Sequence, residues 1–544
     1  MPYCCTYHYQ GICTPTGCNH ETEQSVRMAL VTWKSALGQR ATPLPMVWHR
    51  VWATLSTVVS VHRHHWPCGK DRFTMENGNT MNSKRSVVVF LILALLLSLL
   101  LHTHTVTSQS AFLAQDPGVR GGPAGAGDPI AGLSPTQLAF FNAGRDEFVA
   151  VEEVADGLGP RMNLDACGGC HAQPMVGGTS PAVNPQVAFA TTNGATNSLP
   201  SFITADGPVR EARFVSNPDG SPDGGVHNLF TIAGRADARG CILAQPDFAR
   251  ELASNNVIFR IPTPVFGAGL IEQIPDREIM TNLDGNATQK NTMGIGGRPN
   301  IILAGSTITG QANLNGNDGT IARFGWKAQD KSLLLFAGEA YNVEMGITNE
   351  LFQTEREEAP ACQFATVPND VTNTDAVTSL EALSAIEKFA FFMRFLAPPT
   401  PSPDTPGGSQ SITSGQRLFS SIGCALCHTP TLHTGNATVA ALRNQPVHLF
   451  SDLLLHFMGP GLADGVTQGQ AGPGEFRTAP LWGVGQRIFL LHDGRTTDLL
   501  AAIQAHQSGS SGTSDASEAN AVIQTFSDLP EPQKQDILNF LRSL

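Results

Sequence analysis

Past residue 133 the apolar positions fall into helical patterns separated by long stretches that have none. Ser134-Pro135 reads as an N-cap followed by proline at the first helical position, and Leu138, Phe141 and Phe148 form a broken apolar stripe behind it. Over residues 379–396, Leu380, Leu383, Ile386, Ala390 and Met393 recur at threes and fours, which predicts one helix across that span. Further helices are expected over 415–422 and after Pro532, the latter with Ile537, Phe540, Leu541 and Leu544 on one face. Leu453, Leu454 and His456 form a helix-like run, and residues 498–505 are helix formers throughout. Residues 181–375 are instead rich in Gly, Asn and Asp, with short β-like runs at 257–261 and 301–303. The Pro-rich stretch 398–408 (PPTPSPDTPGG) stops the helical pattern and reads as an interdomain linker. Two units therefore share one order: helix, a close pair of cysteines, a long excursion and a closing helix.

The beginning of the chain is a different text. Residues 1–80 hold five of the eleven cysteines but no sustained apolar period, so no fold can be read there. Met81 opens NSKR, then fifteen largely aliphatic residues from Val87 to Leu101, then HTHTVTSQS. That is the layout of a secretory signal peptide, and it is short of the ~20 apolar residues of a membrane span. The reading is that translation starts at Met81, that 1–80 is unassigned upstream sequence, and that 81–110 is a signal peptide, with a membrane anchor as the alternative. A Gly/Pro linker (111–133) follows.

Composition narrows the function. Apolar residues make up 41% of 544, enough for large cores, so wholesale disorder is excluded. Charged residues are 15% against a usual ~25%, and the net charge is −12, so nucleic acid is not the expected partner.

The chemistry lies in two CxxCH runs, Cys167-Gly-Gly-Cys170-His171 and Cys424-Ala-Leu-Cys427-His428. Two thiols three residues apart on one turn reach the two vinyl groups of a haem, and the next histidine is carried under the iron as its proximal ligand. A zinc site needs a second ligand pair at compatible spacing, and a redox dithiol needs a βαβ context; neither adjoins these runs. Two covalently bound haems c are expected, and export agrees with that chemistry. Cys241 and Cys362 remain, either paired in an oxidising compartment or buried as free thiols. LDGN (283–286) lacks the acids of a calcium loop and reads as a turn.

Between and after these runs stand RIPTPVFGAGLIEQIPD (260–276), GTIARFGWKAQDKSLLLFAGEAYNVEMGITN (319–349), LLLHFMGPGLADG, FRTAPLWGVG and LHDGRTTDLLAAIQAH. In these motifs the chain, from residue 134 to its end, resembles the di-haem oxidoreductase family, which is similar to the bacterial di-haem cytochrome c peroxidases. The resemblance implies a mainly α fold. Two cytochrome c-like haem domains are expected: a catalytic one (134–397) with a loop-rich, partly β excursion, and an electron-entry one (409–544). It implies a peroxidase that reduces hydrogen peroxide with electrons from a small donor protein, a cytochrome or cupredoxin, in the periplasm or secreted. The alternatives are an electron-transfer cytochrome without peroxidase activity and a di-haem oxidase or oxygenase acting on another substrate.

Residue by residue, the resemblance places Trp326 between the haems as an electron relay and Glu344 beside the first iron as the group that moves a proton between peroxide oxygens. The bland readings are a packed core tryptophan and a surface glutamate. Phe336 stands where the peroxidases often have a glutamine. Counting fourteen residues from His492 reaches His506, the expected sixth ligand of the second haem, with Met458 as its rival. His227 is a weaker candidate for covering the first iron.

Overall fold

A computed structural model describes residues 112–544 except 196, 222–230, 302–320, 358, 403–405 and 513. The segment 1–80, the signal or anchor 81–110 and His227 lie outside the described residues. Among the described residues no helix is long and apolar enough to cross a membrane.

The expected helix after Ser134 is Pro135–Phe148, capped by a reciprocal pair of bonds between Ser134 and Gln137. It lies against the helix Ala385–Phe395 along Phe141, Gly144 and Phe148. Gly144 is needed there, because a Cβ would come within 2.2 Å of the Lys388 carbonyl. Phe140 stacks on Phe391 at 4.7 Å, and Phe148 reaches Phe392 at 4.9 Å. The helix Leu333–Met345 also packs on Ala385–Phe395, with Tyr341 edge-on to Phe389. Each such buried side chain contributes about 1.5–3 kcal/mol.

The single helix expected over 379–396 is two, Ser379–Ala382 and Ala385–Phe395. Ser384 starts the second one with its own capping box, and the Asp370 carboxylate accepts from the backbone N–H groups of Ala385 and Ile386. An acceptor fifteen residues upstream therefore breaks a helix whose apolar spacing runs straight through.

In the later segment the helix Gly408–Ser421 starts earlier than the expected 415 and packs on the closing helix Glu531–Ser543. Ile537, Phe540, Leu541 and Leu544 are all buried, as their spacing predicted. Shorter helices, Leu499–Gln504 and Asn520–Ser527, complete this core. Leu432, Val447, Leu449, Leu454 and Trp482 nevertheless pack into the same cluster as Phe141 and Phe392, so both sides of the Pro-rich stretch share one core. The described residues form one compact unit.

The Gly/Pro stretch after residue 111 is not a free tether. Asp116 pairs with the fully buried Arg542 at 2.5 Å and accepts from the Leu499 N–H at 2.6 Å, while Arg120 N–H donates to Gly485.

Among the described residues the strands come as two-stranded antiparallel ladders. Glu211–Phe214 pairs with Val257–Arg260, placing Glu211 opposite Arg260. Asn300–Ile301 pairs with Ile321–Ala322, and Leu432–His433 with Pro446–Val447. Leu455–Phe457 pairs with Glu475–Arg477, which corrects the helix-like reading of Leu453, Leu454 and His456. Leu453, Leu454 and Leu455 are all buried, and a run apolar on every side carries no period that separates strand from helix. Cys241 and Cys362 are joined in a disulfide. At 283–286 the helix Asp276–Asp284 ends and the chain turns through Gly285.

Candidate active site

Cys167–Cys170 is one helical turn that ends on His171, whose N–H returns to the Cys167 carbonyl at 3.0 Å. The His171 Nδ1 donates to the Gly178 carbonyl at 3.0 Å, and the Thr263 carbonyl also lies beside the ring. Burial holds this imidazole down to about 4, so it is neutral, as a metal ligand must be. Burial also pushes both thiols up, chiefly by desolvation and then by the nearby Glu344. A redox dithiol needs the opposite shift.

Cys170 and His171 line a cavity of about 120 Å³ with Glu344, Phe336 and Trp326. Glu344 and Phe336 come from one face of the helix Leu333–Met345, two turns apart. Glu344 is exposed, and it lines this cavity; the dense surroundings push its carboxyl up to about 8, with Glu211 adding to the effect and Arg213 opposing it. Glu211 and Arg213, an ion pair at 2.8 Å, line the same space from the first ladder. Gln329 also reaches it, from the tight turn closed by Arg323 N–H on Asp330 O at 2.8 Å. Its Nε2 donates to Glu339 at 3.1 Å, and its Oε1 has no partner. The amide missing at 336 is thus present in the cavity from another position.

Around the second motif the arrangement repeats with different walls. Cys424–Leu426 is a tight turn, and the His428 N–H donates to the Cys424 carbonyl at 2.9 Å. The His428 Nδ1 bonds to the Phe450 carbonyl at 3.0 Å. Cys424, Cys427 and His428 line a cavity of about 220 Å³ walled by Phe419, Val522, Phe526 and Leu541. His506 lines it too, just past the helix Leu499–Gln504, near enough that its charge acts on His428. The His506 Nδ1 is held by the Ala502 carbonyl at 2.8 Å. Met458, at the end of the strand Leu455–Phe457, shares this cavity. His456 lies there as well, but Asp452 holds its Nε2 at 2.9 Å and Glu518 its Nδ1 at 2.7 Å, so neither ring nitrogen is available. Among the described residues Cys427, Asp452 and His456 form the one group of three possible metal ligands, and it takes only one cysteine of either CxxCH run.

The residues present fit covalent haem at both motifs. The thiols of each run lie on one turn, and His171, His428 and His506 all have Nδ1 tied to a backbone carbonyl, which orients the ring and leaves Nε2 as the nitrogen for a metal.

Trp326 lines both cavities. Its Nε1 donates to the Ile261 carbonyl at 3.0 Å, and its ring meets His492 edge-on at 6.4 Å; His492 in turn stacks on Phe476 at 4.4 Å. Glu344 and Trp326 are thus brought together with Cys170 and His171, while His506 and Met458 gather at the second motif. Sequence reasoning missed Gln329, Glu211 and Arg213. Nothing in their local spacing marks them, since each reaches the cavity through a turn or a ladder closed by distant residues.

The family described as "di-haem oxidoreductase, putative peroxidase" matches residues 214–544. That span holds the second CxxCH run, Trp326 and Glu344 and begins after the first run. No curated protein matches the chain. Among solved structures, Kuenenia stuttgartiensis hydrazine synthase under xenon pressure is 16% identical, with a TM-score of 0.22, over 43% of this chain and 66% of that one. A MauG-like protein associated with microbial copper homeostasis is 17% identical, with a TM-score of 0.21, over 31% of this chain and 58% of that one. The chain spans less than two thirds of either.

Proposed function

We propose a function from one premise: this chain belongs to the di-haem oxidoreductase family. It acts as an exported di-haem c-type peroxidase that reduces hydrogen peroxide with electrons from a small cytochrome or cupredoxin. The observation that carries the reading is Trp326, which borders both the polar cavity at His171 and the apolar cavity at His428. Haems bound at the two motifs would supply one-electron chemistry.

The chain's own residues divide the remaining work. His171 and His428 would each offer Nε2 to an iron, and His506 would offer a further Nε2 at the second site, which suits electron entry. At the first site Glu344 takes the proton from one peroxide oxygen at its carboxylate and returns it to the other, since reduction to two waters needs two electrons and two further protons. The unpartnered Gln329 Oε1 offers an acceptor in the same cavity. Trp326 lies between the sites as the relay. The segment after Met81 directs the chain out of the cytoplasm, where covalent haem attachment takes place.

The polar wall of the first cavity favours this reading over a plain electron carrier. An EPR spectrum of the half-reduced protein tests it: one high-spin ferric signal with peroxide turnover is expected. Two low-spin irons in every redox state, with no turnover, would leave a carrier.

A further inference from the structure

Arg477 and Arg487 are cations without anions. Arg477 is 6% exposed, and its side chain donates only to the carbonyls of Gly325 at 3.0 Å and Thr478 at 3.3 Å. Arg487 donates to the Pro480 carbonyl at 2.9 Å. Neither pairs with a carboxylate among the described residues, whereas the deeply buried Arg542, Arg323, Arg394 and Arg260 do; Arg120 also has no ion pair there, but its guanidinium is met by the Pro123 and Thr400 carbonyls. The two instead lie close enough to repel one another, and burial pushes each down to about 10. The carboxylate that acts on Arg477, Asp452, is already committed to His456 and to the Leu454 N–H. Holding two like charges away from water is unfavourable unless an anion meets them. A guanidinium has five N–H donors, so most of theirs await acceptors.

Their place says which acceptor. Both line the cavity beside Cys427 and His428, and both line a narrow space of about 30 Å³ shared with Trp326 and Trp482. A haem carries two carboxylates, which matches two guanidiniums in number and in charge, and a guanidinium meets a carboxylate through two parallel bonds. We propose that Arg477 and Arg487 bind the two carboxylates of the second haem and raise that haem's reduction potential. The inference rests on the family reading of a haem at Cys424 and Cys427. The sign follows from charge: reduction removes one positive charge from iron, so neighbouring cations favour the reduced state. Arg477 also ties this clamp to the relay, because its backbone N–H donates to the Trp326 carbonyl at 2.9 Å.

The test uses haem-loaded protein. Arg477→Gln and Arg487→Gln should each keep both covalent haems, read by the alkaline pyridine spectrum. Each should shift the oxidised-to-reduced ratio of the second haem at fixed potential roughly tenfold toward oxidised, about 59 mV for one electron. Arg477→Lys and Arg487→Lys should restore most of the wild-type value. A fully loaded glutamine variant with an unmoved potential would overturn the proposal, as would lysine variants shifted as far as the glutamine ones. If the glutamine variants fail to fold, redox-induced infrared difference spectra of the lysine variants decide: haem carboxylate bands that move support the clamp, and bands unchanged from wild type refute it. Protein with no covalent haem at Cys424 and Cys427 would sink the family reading instead, a separate and visible result.

Discussion

Around Cys170 and His171 the cavity carries Glu344, Glu211, Arg213 and Gln329, whereas around Cys427 and His428 it is walled by Phe419, Val522, Phe526 and Leu541 and faces a second histidine. The covalent text is nearly the same at both places. Both motifs put two thiols on one turn and both tie the histidine Nδ1 to a carbonyl. What differs is the opposite wall. One side keeps carboxylates and an amide where a small polar molecule and its protons can be handled, and the other is walled mainly by apolar side chains, with the His506 imidazole and the Arg477 and Arg487 guanidiniums among its few polar groups. The comparison teaches that two nearly identical CxxCH runs can sit under different walls, and that those walls are built by residues far away in sequence.

The largest test of that contrast removes one partner. Cys424→Ala with Cys427→Ala should leave the first haem attached, halve the covalent haem seen on a denaturing gel, and bring donor-driven peroxide turnover to background. Retained turnover would break the division of labour. Next, Glu344→Gln should cut turnover about 10²- to 10⁴-fold at unchanged haem content. Because the carboxyl is pushed up to about 8 and must be ionised to accept a proton, kcat/KM should climb as pH rises through about 8 in the wild type, and that limb should vanish in the variant.

His506→Ala should turn the second iron from low-spin to high-spin by EPR, making the two sites alike, while Met458→Ala should not; the reverse outcome would assign the ligand to Met458. Trp326→Ala, in folded protein with both haems, should slow inter-haem electron transfer by at least an order of magnitude on rapid mixing, and an unaltered rate would leave it a packing residue. The smallest effect on the sites is expected far from them. Replacing Cys241 and Cys362 by serine opens a closure of 121 residues, which should cost about 2–4 kcal/mol in a denaturant titration and leave both haem spectra unchanged.

Much of the scaffold was legible along the chain. Ser134-Pro135 marks where its helix begins, and the apolar face of the closing helix is buried as its spacing says. Other features were not legible, for physical reasons that can be named. The break before Ala385 depends on Asp370, and a periodicity count does not see an acceptor outside its window. Leu455–Phe457 is a strand because Glu475–Arg477 lies alongside it. Phe336 in place of glutamine put the cavity's polarity in doubt, yet the turn at Ala328, with its positive φ, brings Gln329 into it.

By itself the sequence determined what is covalent and contiguous: two CxxCH runs, the histidine after each, and the helices whose caps and faces lie within a few residues. Only the tertiary structure decided what surrounds them. Trp326 borders both cavities, Glu344 sits beside a paired Glu211 and Arg213, His506 lies near His428, and Arg477 and Arg487 have no carboxylate partner among the described residues. The division has one physical cause. Attachment chemistry needs atoms held together along the backbone, and spacing records that. Burial, charge and proton affinity depend on every atom within a few ångströms, whichever part of the chain supplies it.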